Sequence, residues 1–432
     1  MSSPHNYGWS RAWRRWDERL QKIPLTATCT ALFLLALAIR IGLALALKLH
    51  AAPRYTEFER IASSLALSGL FGNPYLIPTG PTAHHAPLYP LILSGLYSLF
   101  GTGTSGRTAQ LVFNACVASL QYALLPVVAA VTKLRHSVGV LAGIMGALLP
   151  LHYLIEVNSV ESLAATALML LVLLTLRAWQ QTEFSWSLVT LHGLSWGAAL
   201  LLAPTFLLIF LALGLAGYAL ALSRSNWRKH TMLLCCLMAL TLLPWTVRNY
   251  KQFGKFFFVR NNLGLELSVS HNDRARAAID DNEKSGAYRG HPFSSEAEAL
   301  KVKQLGEAAY DREKMRAASN WIRTNPLRFL KLTVLRVFYF WFPKTTRPAQ
   351  MLALWALTLT SIAGLQQLFR ENRSLAWLMT TLWLSFPFTY YFLQSSVRYR
   401  FPLHWTFLLL SALAASHFLT QNHVWHRRNL RH

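Results

Sequence analysis

Charge is sparse and lopsided in this chain. Of its 432 residues only 14% are charged, and 18 Asp and Glu face 42 Lys and Arg for a formal net charge of +24. That length would ordinarily suggest two or three soluble domains, but so few charges beside 53% apolar residues argue against it. Cysteine is also scarce. The four cysteines, Cys29, Cys116, Cys235 and Cys236, all lie inside apolar runs, where thiols behave as small hydrophobes. With no C-x-x-C spacing, a cysteine zinc site or a disulfide framework is set aside. Soluble repeats, low-complexity tracts and nucleic-acid motifs are absent too. The positive charge therefore needs no nucleic acid; anionic lipid or a lipid-linked phosphate is the more economical partner.

What is present is a series of apolar blocks too long for a soluble core. In lipid a helix satisfies its own backbone hydrogen bonds, so the blocks read as an all-α polytopic membrane protein of about ten transmembrane helices. The runs are 25–49, 110–132, 138–154, 159–176, 188–203, 205–222, 231–247, 349–368, 375–393 and 401–419. Pro204 leaves the fifth and sixth open to reading as one kinked helix. Arg40 interrupts the first run and is expected to face other helices or a polar cavity. Basic linkers at Lys133 and Arg135, at Arg177, and at Arg224, Arg228 and Lys229 share a side with the basic N-terminus, which places both termini in the cytoplasm. The division is a cytoplasmic segment 1–24, a bundle 25–248 with a first outer loop 50–108, an outer module 249–327, an interfacial helix plus C-terminal helices 328–420, and a cytoplasmic tail 421–432. The interfacial helix is NPLRFLKLTVLRVFYFWF, in which basic residues punctuate an apolar stripe.

Candidate chemistry sits at the outer surface. In the first loop, Phe58, Ile61, Ala62 and Leu65 share one face of a short helix. Glu57 and Glu59 are two residues apart, about 200° on a helix, so they diverge. Glu57 is expected on the cleft side, partly desolvated with a raised pKa suited to a general base, and Glu59 toward water beside Arg60. A solvated helix face is the bland alternative. His84 and His85, with Tyr89, suit a phosphate or a sugar hydroxyl; adjacent histidines make a metal the weaker option, so a divalent ion stays open without a convincing ligand set. Glu156 and Glu161 flank a turn between two runs, as substrate groups or as turn structure around Asn158. Arg248, Arg260, Asn261 and Glu266 follow the seventh run; arginine's planar fork suits phosphate, and snorkelling is the alternative. Arg398, Tyr399 and Arg400 occupy a very short outer loop, where positive charge is disfavoured and an anionic headgroup explains it.

These stretches occur in a familiar order. EFERIASSLALSG, then APLYPLILSGLYSLFG, then WTVRNY and RNNLGLE, and finally RYRFP together resemble the GT-C superfamily of membrane glycosyltransferases, the group with the protein mannosyltransferases and the lipid A aminoarabinose transferase. Departures exist: the usual aspartate falls at Arg54, a frequent lysine at His85, a proline at Ala86, and a Gly-Asn pair at His271-Asn272.

The resemblance implies a polyprenyl-phosphate-sugar-dependent transferase at the outer face of a bacterial inner membrane. Glu57, aided by His85, would take the acceptor proton, and Arg398 and Arg400, with Arg248 or Arg260, would hold the departing phosphate. The acceptor, whether protein, lipid or polysaccharide, stays open. The alternative from another class is a transporter or flippase of a lipid-linked glycan, against which no inverted repeat or matched pair of broken helices is seen.

Overall fold

The computed structural model describes residues 15–51, 56–181, 183–221 and 225–429. Within them the chain is helical, with isolated β-bridges at Gly72–Pro81 and Ala278–Ser395. Arg54, Arg224 and most of the 1–24 segment lie outside the described residues.

Among the described residues six helices are long and apolar enough to cross a membrane: Leu25–Ala46, Thr104–Val131, Glu161–Gln180, Trp227–Phe253, Pro348–Glu371 and Val397–Leu419. Each matches an expected run. The other expected spans are shorter. His136–Leu148 has 13 residues, Trp186–Leu202 has 17 and Arg373–Ser385 has 13. The run expected to reach 393 stops at Ser385, before Pro387, whose ring cannot continue the hydrogen-bond ladder. Pro204 separates two helices, Trp186–Leu202 and Phe206–Ala221, rather than kinking one. The last helix runs on from His404 to Asn429, through most of the segment expected as a tail.

Arg40 is fully buried, as its place in an apolar run requires. Its Nε meets Glu156 at 2.9 Å, its two Nη atoms donate to the carbonyls of Ala147 and Gly146, and Tyr122 donates to Glu156 at 2.6 Å. The pair ties the first long helix to the short helix Tyr153–Asn158.

Two elements sit on the end of this bundle. The first is the loop helix Glu57–Ser68. Thr56 and Glu59 form a capping box at its start, and Gly69 closes it at φ 72°, a left-handed conformation that costs a glycine little. The second is the 263–325 module. Its core gathers Leu265, Val269, Ala299, Val302 and Tyr310, and Tyr75 of the first loop is packed among them. Helix Leu263–Ser270 lies so close on Glu307–Thr324 that a Cβ on Gly264 would stand 2.0 Å from the Asp311 carbonyl oxygen, and Asp311 caps the Leu265 N–H at 2.9 Å. Loop and module therefore share one core. Helix Pro326–Trp341 then turns Leu327, Leu330, Val334 and Phe338 outward along one face. Its buried Arg336 donates to the Ser270 carbonyl and to His271 on the opposite face.

Candidate active site

Glu57 is the first residue of the loop helix, and its carboxylate is the meeting point of the site. The Nε2 of His85 lies 3.0 Å from one oxygen. The Nε2 of His84 stands 3.2 Å, and that of His291 3.7 Å, from the other. His84 and His85 reach the same carboxylate because residues 82–86 run non-helical before the helix that starts at Leu88, so consecutive side chains bend round one point. Phe58 stacks on His85 at 3.9 Å, and Tyr89, bonded to Asn114, braces Phe58 edge-on. Tyr288 stacks on His291 at 4.9 Å, and Tyr75 stands edge-on to His84 at 5.4 Å.

Electrostatics divide these groups. Burial alone would raise the Glu57 carboxyl; the charge of His84, the hydrogen bond from His85 and the charge of His291 outweigh it and hold it well below the usual carboxylate range. The raised value expected for Glu57 is thus reversed by its imidazole neighbours. Burial also depresses His84, but the facing Glu57 carboxylate overcomes it and the imidazole is raised. His85 is pushed down to about 3 by burial, despite its bond to Glu57, and His291 is lowered by burial too. Burial thus disfavours charge on His85 and His291, while Glu57 favours it on His84.

Glu57 Oε1 is paired with His84 Nε2, but the other ring nitrogens, His84 Nδ1 and His85 Nδ1, have no hydrogen-bond partner. Buried polar atoms are normally satisfied, so the cluster has unused binding capacity. Ligand atoms of Glu57, His84 and His85 lie within 4.8 Å of one another, as do those of His84, Glu266 and His291. Each group, two imidazoles with one carboxylate, suits a divalent ion of the zinc type. The adjacent histidines that seemed poor joint ligands converge because the backbone turns between them.

A cavity of about 750 Å³ opens beside the cluster. Glu57, Phe58 and His85 line it together with Glu161, Arg260, Glu266, Tyr288, Arg398 and Tyr399, and Phe206, Leu207, Phe386 and Phe388 add apolar surface. Arg398 is 43% exposed, projects into this cavity and has its Nε 3.2 Å from Glu161. Arg260 donates its Nε to the His84 carbonyl at 2.8 Å. Tyr399 stacks on Tyr390 at 4.5 Å. Asn262 donates to Glu266 at 3.3 Å.

Other expected site residues stand apart from the cavity. Glu59 is 3% exposed, not water-facing: Arg107 and Gln110 each donate to it at 3.0 Å, and it accepts the Thr56 N–H. It holds the loop helix to the bundle. Arg400, two residues beyond Arg398, points the opposite way into the bundle, donating to the Trp341 carbonyl and Thr358 with Phe407 beneath its guanidinium at 4.1 Å. Arg248 donates to the carbonyls of Thr82 and Phe71, pinning the first loop. Asn261 serves through its backbone N–H, on Ala83. Tyr89 is buried behind Phe58, and Glu156 is spent on Arg40. Sequence reasoning missed Tyr288, His291 and Glu307. The first two lie in GAYRGHPF, where a histidine before proline repeats weakly the pattern of HHAPLYP.

No protein-family model matches the sequence, and neither does any curated protein. The fold does have solved relatives. The oligosaccharyltransferase of Archaeoglobus fulgidus superposes with a TM-score of 0.56 at 16% identity in the form tethered to an acceptor peptide, covering 93% of this chain and 50% of that one. Its apo form gives 0.55 at 14% identity over 94% and 52%, and its complex with zinc and sulfate 0.53 at 16% over 91% and 50%. The chain spans about half the length of these structures. The described residues form an all-α membrane fold, with six helices long and apolar enough to cross a bilayer, and that fold is similar to the one of the Archaeoglobus oligosaccharyltransferase.

Proposed function

We propose that the protein transfers a sugar from a polyprenyl-phosphate carrier to an acceptor hydroxyl at the outer face of a bacterial inner membrane. The observation that carries this reading is one cavity that joins a carboxylate–imidazole cluster, two arginines and an apolar wall. An isoprenoid chain would lie along the aromatic wall, and its phosphate would meet Arg398 and Arg260, whose guanidinium forks suit phosphate oxygens. The acceptor hydroxyl would approach Glu57 from the His85 side. As the anomeric carbon is attacked, the hydroxyl proton passes to the Glu57 carboxylate, the C–O bond to the carrier breaks and its electron pair leaves with the phosphate. An ionised carboxylate below the usual range is a weak base in the ground state. It becomes adequate because the hydroxyl turns strongly acidic as its oxygen bonds to carbon.

His84, Glu266 and His291 would hold a divalent ion and leave Glu57 free to take the proton; the oligosaccharyltransferase of similar fold has been solved with zinc and sulfate. Bound there, such an ion would supply Lewis-acid stabilisation of a phosphate oxygen. The test is transfer by purified protein in lipid nanodiscs from a panel of radiolabelled polyprenyl-phosphate sugars, with and without chelator. Label appearing on an acceptor supports the reading; label staying on the carrier with every donor overturns it.

A further inference from the structure

The turn Thr82–Ala83–His84 carries the two imidazoles, yet it makes little structure of its own. All three residues are buried, and the local bond is the His84 N–H donating to Thr82 Oγ1 at 3.0 Å. Buried backbone groups need partners, and these arrive from far along the chain. Arg248 takes the Thr82 carbonyl, the Asn261 N–H takes that of Ala83, and Arg260 takes that of His84. Those three donors satisfy carbonyls. Of the turn's own donors, the Thr82 N–H goes to the Phe71 carbonyl of the same loop at 3.1 Å, the Ala83 N–H donates at 2.7 Å to Glu307, and the Thr82 hydroxyl donates to the same carboxylate.

Glu307 opens the module helix Glu307–Thr324 and is 7% exposed. One turn later, on the same face, Asp311 caps Leu265. Two carboxylates a turn apart therefore each bind a different segment, one within the module and one across to the first loop. A buried carboxylate is kept only where it is well partnered, and this one has both oxygens engaged by the turn. Its charged neighbours, His84 and Arg248, belong to the turn and to the element that grips it.

We propose that Glu307 is a positioning residue: from the outer module it holds the Thr82–His84 turn, and so presents His84 and His85 to Glu57. The two oxygens fix the turn at successive residues, which sets the direction in which the next two side chains leave the backbone. Movement of the module is then transmitted to the imidazoles through this carboxylate. The contact stands independently of the transfer reaction proposed above, and only its effect on turnover rests on that reading.

The test is the rate at which diethyl pyrocarbonate modifies each histidine of the full-length protein in nanodiscs, read by mass spectrometry. Glu307→Leu removes both acceptors at similar size. It should raise modification of His84 and His85 by about tenfold, the effect of losing about one buried hydrogen bond, while His271, held by Arg336 instead, stays unchanged. Glu307→Gln keeps an acceptor for Ala83 and a donor for Thr82, and should hold both rates within about twofold of the native protein. Should Glu307→Leu fail to fold, Thr82→Val, which deletes the hydroxyl alone, should raise the same two rates about threefold. Unchanged rates in the variants that fold, or a rise shared equally by His271, would overturn the proposal. If the protein proves to transfer no sugar, this readout still decides the role of Glu307.

Discussion

Glu57 and Glu59 lie two residues apart and are expected to fail in different ways when each is changed to glutamine. Glu57→Gln keeps an oxygen to accept from His85 but removes the charge that sustains His84 and the site that takes a proton. Loss of a general base costs about a hundredfold in turnover or more, which is about 2.7 kcal/mol of transition-state stabilisation. Donor affinity should survive, because Arg398 and Arg260, which also line the cavity, keep their charges. Glu59→Gln leaves the cavity untouched but removes the carboxylate that Arg107 meets at 3.0 Å, with side chains 3% and 8% exposed. Breaking a buried pair from one side costs about 3–5 kcal/mol, so this variant should lose stability and retain turnover per folded molecule. The assays are steady-state transfer, donor binding by filtration and resistance to unfolding by SDS. Full turnover in Glu57→Gln with loss in folded Glu59→Gln would refute the assignment of the base. A native-like stability for Glu59→Gln would refute the buried pair.

Arg398→Gln should weaken donor binding about tenfold or more, as expected for a lost charge-assisted phosphate contact, with partial recovery in Arg398→Lys. Arg400→Gln should instead lower stability with donor affinity intact; equal binding losses at the two positions would contradict their opposite orientations. In the outer module, burial opposes ionisation of Glu298, but hydrogen bonds from Lys301, Lys314 and Tyr310 hold its carboxyl down to about 2. Its stabilisation is therefore complete above the usual value of 4.5 and is lost as pH falls toward 2. Protection factors for hydrogen exchange in helix Glu296–Leu305, corrected for the intrinsic rate at each pH, should fall through that window and be less pH-sensitive in Glu298→Gln; identical profiles would contradict it. The proposed topology, which puts both termini in the cytoplasm, predicts that a cysteine at the exposed Glu283 reacts with an impermeant maleimide in intact cells; reaction only after permeabilisation would invert it.

Much of the bundle was legible in the sequence because lipid demands long apolar runs, and all six long helices fall on such runs. Helix ends were less so: 375–393 carries no charge anywhere, and only Pro387 tells that the helix stops at Ser385. The candidate site was half legible. Glu57 faces the cavity as helix geometry required, but Glu59 is buried because Arg107, 48 residues away, comes to meet it. Period alone says which faces diverge and not what covers them. The same rotation separates Arg398 from Arg400 once a helix forms over Val397–Arg400, although in a loop the two read as one patch. His291 and Glu307 reach the first loop across more than 200 positions, through a core they share with Tyr75 that no local pattern encodes.

The central claim is that a sugar leaves its lipid carrier in this cavity, and the most direct measurement follows that bond. Purified protein in liposomes is given a polyprenyl-phosphate sugar carrying one label on the sugar and another on the lipid, with acceptor in excess. The account predicts that the labels separate, with free polyprenyl phosphate formed in step with glycosylated acceptor, and that Glu57→Gln slows both together. Labels that stay joined while the intact lipid crosses the bilayer would contradict it and identify a flippase.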